Sequence, residues 1–190
     1  MLKNNMNSRI KRMLLFLLMS VVLIIPDQLT KQLAVETLKG NAGIPVIRNV
    51  LYLLYVENQG AAFGVFKGAQ YAFYIITIVV LFGIIYVVYK TPLKDKHYYP
   101  VLIIAELVFS GAIGNFMDRV SQKYVVDFIY FSPIDFPVFN VADIYVTCGS
   151  VIMVLLLLFY YKDEDFNYLR SSKKRIGTES DEEDSLAEEK

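Results

Sequence analysis

Four long apolar runs, separated by shorter polar stretches, dominate the pattern of this chain. They cover residues 13–29, 71–89, 98–117 and 138–161. A helix needs about 20 mostly apolar residues to cross the hydrocarbon of a bilayer, and each run reaches or approaches that length. The predicted fold class is therefore an all-α membrane protein with four transmembrane helices.

The first apolar run has two interpretations. Four basic residues precede it, as in the n-region of a cleaved signal peptide: Lys3, Arg9, Lys11 and Arg12. A small-residue cleavage site does not follow, because the polar stretch 26–31 stands there instead. We therefore predict an uncleaved span.

The stretches outside the spans differ in character. Residues 44–56 are rich in Val, Ile, Leu and Tyr, which predicts one or two short strands and hence a small extracytoplasmic β platform between spans one and two. The turn that follows, residues 58–64, is rich in small residues. Residues 166–190 are polar and end in an acidic run, which predicts a disordered cytoplasmic tail after a single membrane domain of residues 1–165.

Basic residues near the ends of the spans predict the orientation. They concentrate in the N-terminal segment, in the loop between spans two and three, and in the C-terminal segment. Loops rich in Lys and Arg stay in the cytoplasm, so both termini are predicted cytoplasmic. The aromatic residues near the span ends, Tyr71 and Tyr74 among them, are interpreted as interfacial belt residues.

Composition removes several classes of function. The chain is 55% hydrophobic with a mean hydropathy of +0.42, and its formal net charge is zero, so nothing draws it towards nucleic acid. It has one cysteine, Cys148, and one histidine, His97, so a zinc site is not expected. Cys148 is predicted to pack between helices, and His97 to be solvated.

Two aspartates near the start of the last span carry the candidate chemistry. A carboxylate at membrane depth is costly and indicates a functional site. Asp127 precedes the span and Asp143 lies at its beginning. Two converging carboxyls can share one proton, which predicts aspartyl-type hydrolysis, with asparagine amides and an arginine orienting the pair and stabilising an oxyanion.

The polar spacing alone leaves a second class open. A small transporter component, or a non-enzymatic membrane protein that binds lipid or peptide, would also place carboxylates at membrane depth. Transporters usually bind near the midplane, and these aspartates are predicted near one interface. No metalloprotease His-Glu-x-x-His and no Gly-x-Ser-x-Gly sequence is present.

The other acidic residues have structural interpretations. Asp27 and Lys31 are spaced i, i+4, which predicts an ion pair at a helix end. Asp118 is interpreted as an ion-pair partner of the adjacent Arg119. Glu106 lies within the third span, where it either pairs with a polar group on a neighbouring helix or faces a water-filled crevice.

Five motifs, in this order, resemble those of type II (lipoprotein) signal peptidases. They are Asp-Gln-Leu-Thr-Lys at 27–31, Asn-Gln-Gly-Ala-Ala-Phe-Gly at 58–64, Gly-Asn-Phe-Met-Asp-Arg at 114–119, Val-Val-Asp-Phe at 125–128 and Phe-Asn-Val-Ala-Asp at 139–143. The resemblance implies a catalytic pair, Asp127 and Asp143. It implies substrate-binding or supporting roles for Asn58, Gly60, Asn115, Arg119 and Asn140, and structural support from Asp27, Lys31 and Asp118.

The same resemblance implies the setting of the reaction. The family cleaves prolipoproteins before a cysteine that carries diacylglycerol, in the bacterial plasma membrane near its extracytoplasmic face. Its partners are therefore diacylglyceryl prolipoproteins and membrane lipid, and cyclic peptides of the globomycin type inhibit it. The family uses no metal and no other cofactor.

Overall fold

The computed structural model describes residues 2–60, 70–92 and 95–169. Its helices are α1 (Leu2–Leu38), α2 (Gln70–Lys90), α3 (Tyr99–Gln122) and α4 (Val141–Phe159). Among the described residues, these four helices are the ones long and apolar enough to cross a membrane. Their outward faces expose many large apolar side chains, as lipid-facing helices do. The four predicted spans are confirmed.

Helix α1 is longer than the first predicted span. It passes through Pro26, which lacks a backbone N–H, and continues to Leu38. The Thr30 hydroxyl donates to the carbonyl oxygens of Pro26 and Asp27, at 2.8 and 2.9 Å, one turn after the proline. The end of the helix is held by burial, because Ala34 and Leu38 pack under the sheet described next.

A three-stranded antiparallel sheet stands at one end of the helix bundle. Its strands are β1 (Ile44–Ile47), β2 (Leu51–Asn58) and β3 (Val125–Phe131), in that spatial order. The predicted platform is therefore present, but the prediction confined it to the segment between spans one and two. The third strand comes from between α3 and α4, and it carries Asp127.

Helix α3 lies against all three other helices. Gly111 permits its close approach to α4, because a Cβ there would lie 2.5 Å from the Ala142 carbonyl oxygen. Glu106 faces α1, where its Oε1 lies 2.6 Å from the Ser20 hydroxyl, and it also lies 3.4 Å from the hydroxyl of Ser110 on its own helix. Of the two interpretations of Glu106, pairing with a neighbouring helix is confirmed.

The end of the bundle opposite the sheet is closed by aromatic packing. His97 stacks on Tyr160 at 4.8 Å between ring centroids, and its Nε2 lies 3.2 Å from the Asp165 carboxylate. The prediction of a solvated histidine is therefore wrong. Residues Asp163–Leu169 form a 3-10 helix that packs here, so ordered chain extends to 169. The rest of the predicted tail, 170–190, lies outside the described residues.

Candidate active site

Strands β2 and β3 bring Asn58 and Asp127 together. Val56 pairs with Asp127 across the two strands, so Asn58, two residues further along β2, presents its side chain on the same face. Its Nδ2 donates to Asp127 Oδ2 at 2.8 Å. The Asn58 Oδ1 accepts from the Gly60 backbone N–H at 3.0 Å, and this bond fixes which end of the amide faces Asp127.

The N-terminus of α4 supplies the second carboxyl. Asn140 is the N-cap: its Oδ1 accepts from the Asp143 N–H at 3.0 Å, and Asp143 Oδ2 accepts from the Asn140 N–H at 3.1 Å. This reciprocal capping box satisfies two N–H groups of the first turn. The other side of the Asn140 amide, Nδ2, donates to Asp127 Oδ1 at 2.6 Å. One asparagine therefore joins the two aspartates.

A buried network from α1 and α3 orients Asn115. Lys31 Nζ donates to Asn115 Oδ1 at 2.9 Å, and Asn115 Nδ2 donates to Asp143 Oδ1 at 2.8 Å. The ammonium of Lys31 also lies 2.8 Å from Asp27 and 2.9 Å from Asp118. Asp27 Oδ1 accepts from the Ala142 N–H at 2.9 Å, which ties α1 to the first turn of α4.

The electrostatics of the site favour a protonated Asp127. Its side chain is only 1% exposed. Burial, and then the neighbouring Asp143 carboxyl, raise the pKa of Asp127 to about 7 against the opposing effect of the bonds from Asn58 and Asn140. A carboxyl with a pKa near neutrality can carry a proton at the pH of the reaction.

Both aspartates line one cavity of about 850 Å³. Its walls are mostly apolar and come from β2, from the start of α2, from the segment before α4 and from α4 itself: Val56, Phe73, Phe136, Pro137, Val138, Phe139 and Ile144. Cys148 lies in the same wall and is exposed, so it does not pack between helices as predicted; the adjacent Gly149 is buried against α3. The cavity combines an apolar lining with polar groups at one point, as ligand sites do.

The structure places every predicted site residue in or beside this network, but one predicted pair is wrong. Asp118 pairs with Lys31 and not with the adjacent Arg119. Successive residues of a helix point about 100° apart, so Arg119 turns towards the cavity while Asp118 faces α1. Its Nη2 reaches the Gly60 carbonyl oxygen at 3.5 Å. Residues 61–64 of the glycine turn lie outside the described residues.

Three residues of the site were not predicted. Gln28 Nε2 donates to Asp27 at 3.0 Å and to Asp118 at 3.2 Å, between the two carboxylates. Phe73 and Tyr74 lie beside Arg119 on the first turn of α2. Gln28 could have been found by its place between Asp27 and Lys31, whereas nothing distinguishes the two aromatic residues from other aromatics near span ends.

Metal ligation finds no support in the described ranges. Within them, no group of three or more Asp, Glu, His or Cys side chains is arranged to hold an ion. The charges of the carboxyls are instead met by amide, ammonium and guanidinium groups of the chain.

Comparison with known proteins identifies the family. Residues 19–159 match the family described as signal peptidase (SPase) II. The chain belongs to the signal peptidase II family. A lipoprotein signal peptidase of Latilactobacillus sakei subsp. sakei (strain 23K) is 39% identical over 150 residues, which are 79% of this chain and 97% of that one. One from Halalkalibacterium halodurans is 39% identical over 147 residues, 76% of this chain and 92% of that one.

Solved structures agree with this membership. A bacterial membrane enzyme, solved by the in meso method at 2.3 Å resolution, is 35% identical with a TM-score of 0.68, over 78% of this chain and 92% of that one. A second, solved at 1.9 Å, is 36% identical with a TM-score of 0.66. As a member of this family, the chain is a peptidase and a multi-pass bacterial membrane protein.

Proposed function

We propose that this signal peptidase II removes signal peptides from prolipoproteins by aspartyl hydrolysis, with Asp127 and Asp143 sharing one proton. The observation that carries the proposal is the common network of the two carboxyls. Asn140 bonds to both, and both line one apolar cavity. A transporter component or a passive binding protein has no need of such a pair, and family membership supports the peptidase.

The arrangement divides the roles of the pair. Asp127 is the more buried carboxyl and, with a pKa of about 7, holds the shared proton up to about neutral pH. Asp143 lies at the third position of a helix N-terminus and accepts from the N–H of Asn140 and the amide of Asn115, which favours negative charge. Asp143 then takes a proton from water while Asp127 donates to the scissile carbonyl oxygen, and the water oxygen bonds to the carbonyl carbon.

Collapse of the tetrahedral intermediate completes the cleavage. The peptide C–N bond breaks, and the leaving amine takes the proton that Asp143 had accepted. Asp127 recovers its proton from the intermediate, so the pair again holds one proton. Arg119, which is within electrostatic range of both carboxyls, stabilises the partial negative charge that develops on the carbonyl oxygen in the transition state, before proton transfer from Asp127 is complete.

The substrate that fits this cavity is a lipidated peptide. Its apolar wall continues along α4 to residues 147 and 148, within the span, so an acyl chain can lie beside a peptide held at the carboxyls. We therefore place cleavage before a diacylglyceryl cysteine, and we expect cyclic peptides of the globomycin type to occupy the same cavity. From the bias of Lys and Arg, we propose that both termini lie in the cytoplasm and the site at the outer face of the plasma membrane.

The test is the isosteric change of each aspartate in protein reconstituted into liposomes. Asp127→Asn and Asp143→Asn should each lower the cleavage of a diacylglyceryl prolipoprotein by about 10³-fold, because neither amide can hold the shared proton. Asp135→Asn, in an exposed loop, is the matched control and should cleave normally. Substantial cleavage by either pair variant would refute the assignment, and inhibition by a chelator would indicate a metalloprotease.

A further inference from the structure

Arg119 is held less firmly than the other polar groups of the site. Its Nη1 donates to the Asn115 carbonyl oxygen at 3.4 Å and its Nη2 to that of Gly60 at 3.5 Å, both long for hydrogen bonds. Of the ion pairs in the described part of the chain, none includes Arg119. A guanidinium has five N–H donors, so these two contacts do not fix its position.

Helix α2 supplies further contacts that hold Arg119 in position. The Arg119 Cζ lies 4.9 Å from the centre of the Phe73 ring, within the range of a cation–π contact. The next residue, Tyr74, donates its hydroxyl to the Arg119 carbonyl oxygen at 2.8 Å and packs edge-on against Phe116 at 5.8 Å. The first turn of α2 therefore contacts both the backbone and the side chain of Arg119.

We propose that Phe73 is a positioning residue, whose ring face holds the Arg119 guanidinium beside the carboxyl pair. The proposal rests on the proposed function, because it assigns Phe73 an effect on the reaction of that pair. It also explains why an aromatic side chain lines the cavity at the point where α2 meets α3. Phe73 acts through Arg119 and needs no contact with the substrate.

The charges around the carboxyl pair make the effect of Phe73 measurable, as a change in the pH at which the pair loses its shared proton. Among the described residues, the other cation near the pair is Lys31 on α1, and its ammonium already lies within 2.9 Å of Asp27 and Asp118. Arg119 has no carboxylate at ion-pair distance in the part of the chain that the structure describes, although Asp143, Asp127 and Asp118 act on it at longer range, and the Tyr74 hydroxyl is the titratable group beside it on α2. A nearby cation favours ionised carboxyls, so displacing Arg119 should make the pair hold its shared proton to higher pH.

The experiment replaces Phe73 by phenylalanines with one, two and three ring fluorines, which keep the ring shape and remove the negative potential of its face. We expect the alkaline limb of the pH–rate profile to move stepwise to higher pH. We also expect kcat to fall by roughly three- to tenfold with little change in KM, as for a contact realised in the transition state. Trifluorophenylalanine at Phe82, a lipid-exposed residue of α2, is the matched control.

A double-mutant cycle provides the second measurement. Phe73→Leu should lower kcat in the wild type and have no further effect in Arg119→Gln, because the ring then has no cation to hold. A limb that does not move with fluorination, or equal effects of Phe73→Leu in both backgrounds, would refute the positioning role. Failure of the carboxyl pair itself would appear separately, as activity retained by Asp127→Asn or Asp143→Asn.

Discussion

Asn140 performs two tasks with one amide, and the second depends on the first. Its oxygen caps α4 through the Asp143 N–H, so its Nδ2 must point at Asp127. Lys31 orients Asn115 in the same way, since the ammonium holds the amide oxygen and leaves Nδ2 for Asp143. Among the described residues, the hydrogen-bond partners of each carboxyl are donors, and the amides of Asn58, Asn115 and Asn140 are each oriented by a contact of the amide oxygen.

The raised pKa of Asp127 has a consequence for stability as well as for catalysis. Between the ordinary pKa of aspartate, about 3.9, and about 7, the folded protein binds more protons than the unfolded chain. The contribution of Asp127 is therefore most favourable at low pH and declines as the pH rises through this window. Activity should also fall above about pH 7, where the pair loses its shared proton.

We expect the wild type to lose thermal stability between pH 5 and pH 8, by up to about 3 kcal/mol from this group, because about two pKa units of the window lie in this range at about 1.4 kcal/mol each. Asp127→Asn removes the titration, so its Tm should decline less over the same range. The measurement is thermal unfolding in detergent at both pH values, with Asp135→Asn as control. An equal decline in Tm for wild type and Asp127→Asn would contradict the raised pKa.

Single residues of the site were predictable where chemistry alone indicates them. A carboxylate near hydrocarbon is costly whatever the orientation of its side chain, so the sequence alone was enough to identify Asp127 and Asp143. The ion-pair partners of these residues were harder to predict. Asp118 and Arg119 are adjacent in sequence, but their side chains leave the helix in different directions. The prediction for His97 was wrong for a similar reason. Its neighbours in sequence are charged, whereas the residues that surround it in the fold are aromatic.

At the level of elements, the strand that carries Asp127 was missed. The sequence of β3 has no alternation of polar and apolar positions, because its first four residues are all buried. One face of these residues packs on the end of α1 and the other contributes to the site. A buried strand of this kind resembles a short apolar loop between two spans, and only its pairing with β2 distinguishes it.

The contact between α3 and α4 yields a prediction for Gly111. A Cβ at this position would lie 2.5 Å from a backbone oxygen of Ala142 and 2.8 Å from Val146 Cγ2, so the helices would have to separate. Gly111→Ala should cost about 1–3 kcal/mol of stability and reduce activity, because Asn115 on α3 must reach Asp143 on α4. Thermal unfolding and a cleavage assay measure the two effects.

Gly83 provides the matched control for this change. It lies within α2, and a Cβ there would meet nothing within 4 Å. Gly83→Ala should leave activity unchanged and leave stability equal or slightly higher, since alanine is favoured over glycine in a helix. Equal stabilities of the two alanine variants would show that the α3–α4 contact is not tight at Gly111.

At the scale of the whole molecule, the two ends of the bundle are held by separate sets of side-chain contacts. The carboxyl pair and the sheet occupy one end, and the segment Asp163–Leu169 packs at the other, beyond the residues that match the family. Asp165 is central there: its Oδ2 accepts from the Lys162 N–H at 2.8 Å and its Oδ1 lies 3.2 Å from His97. The Lys162 N–H, and then His97, hold the pKa of Asp165 below its usual range.

Asp165→Ala should release this segment without affecting cleavage. We expect faster amide hydrogen exchange across residues 163–169 and an unchanged kcat, while Asp163→Ala, at an exposed neighbouring position, should resemble the wild type. Because the folded pKa of Asp165 is lowered, its contribution is present above the ordinary aspartate pKa and is lost as the pH falls through the folded value. Loss of activity in Asp165→Ala would show that the two ends communicate.

The length of α1 sets the height of the carboxyl pair. Its 37 residues span about 55 Å, against about 30 Å of hydrocarbon, and the sheet rests on its protruding end. The same helix holds α4 through Asp27. The height of the carboxyl pair above the hydrocarbon is therefore fixed by the protein. The height of the scissile peptide bond of a lipidated substrate, in contrast, changes with the acyl-chain length of the bilayer lipids. Cleavage should therefore have an optimum bilayer thickness, set by hydrophobic mismatch between lipid and helix.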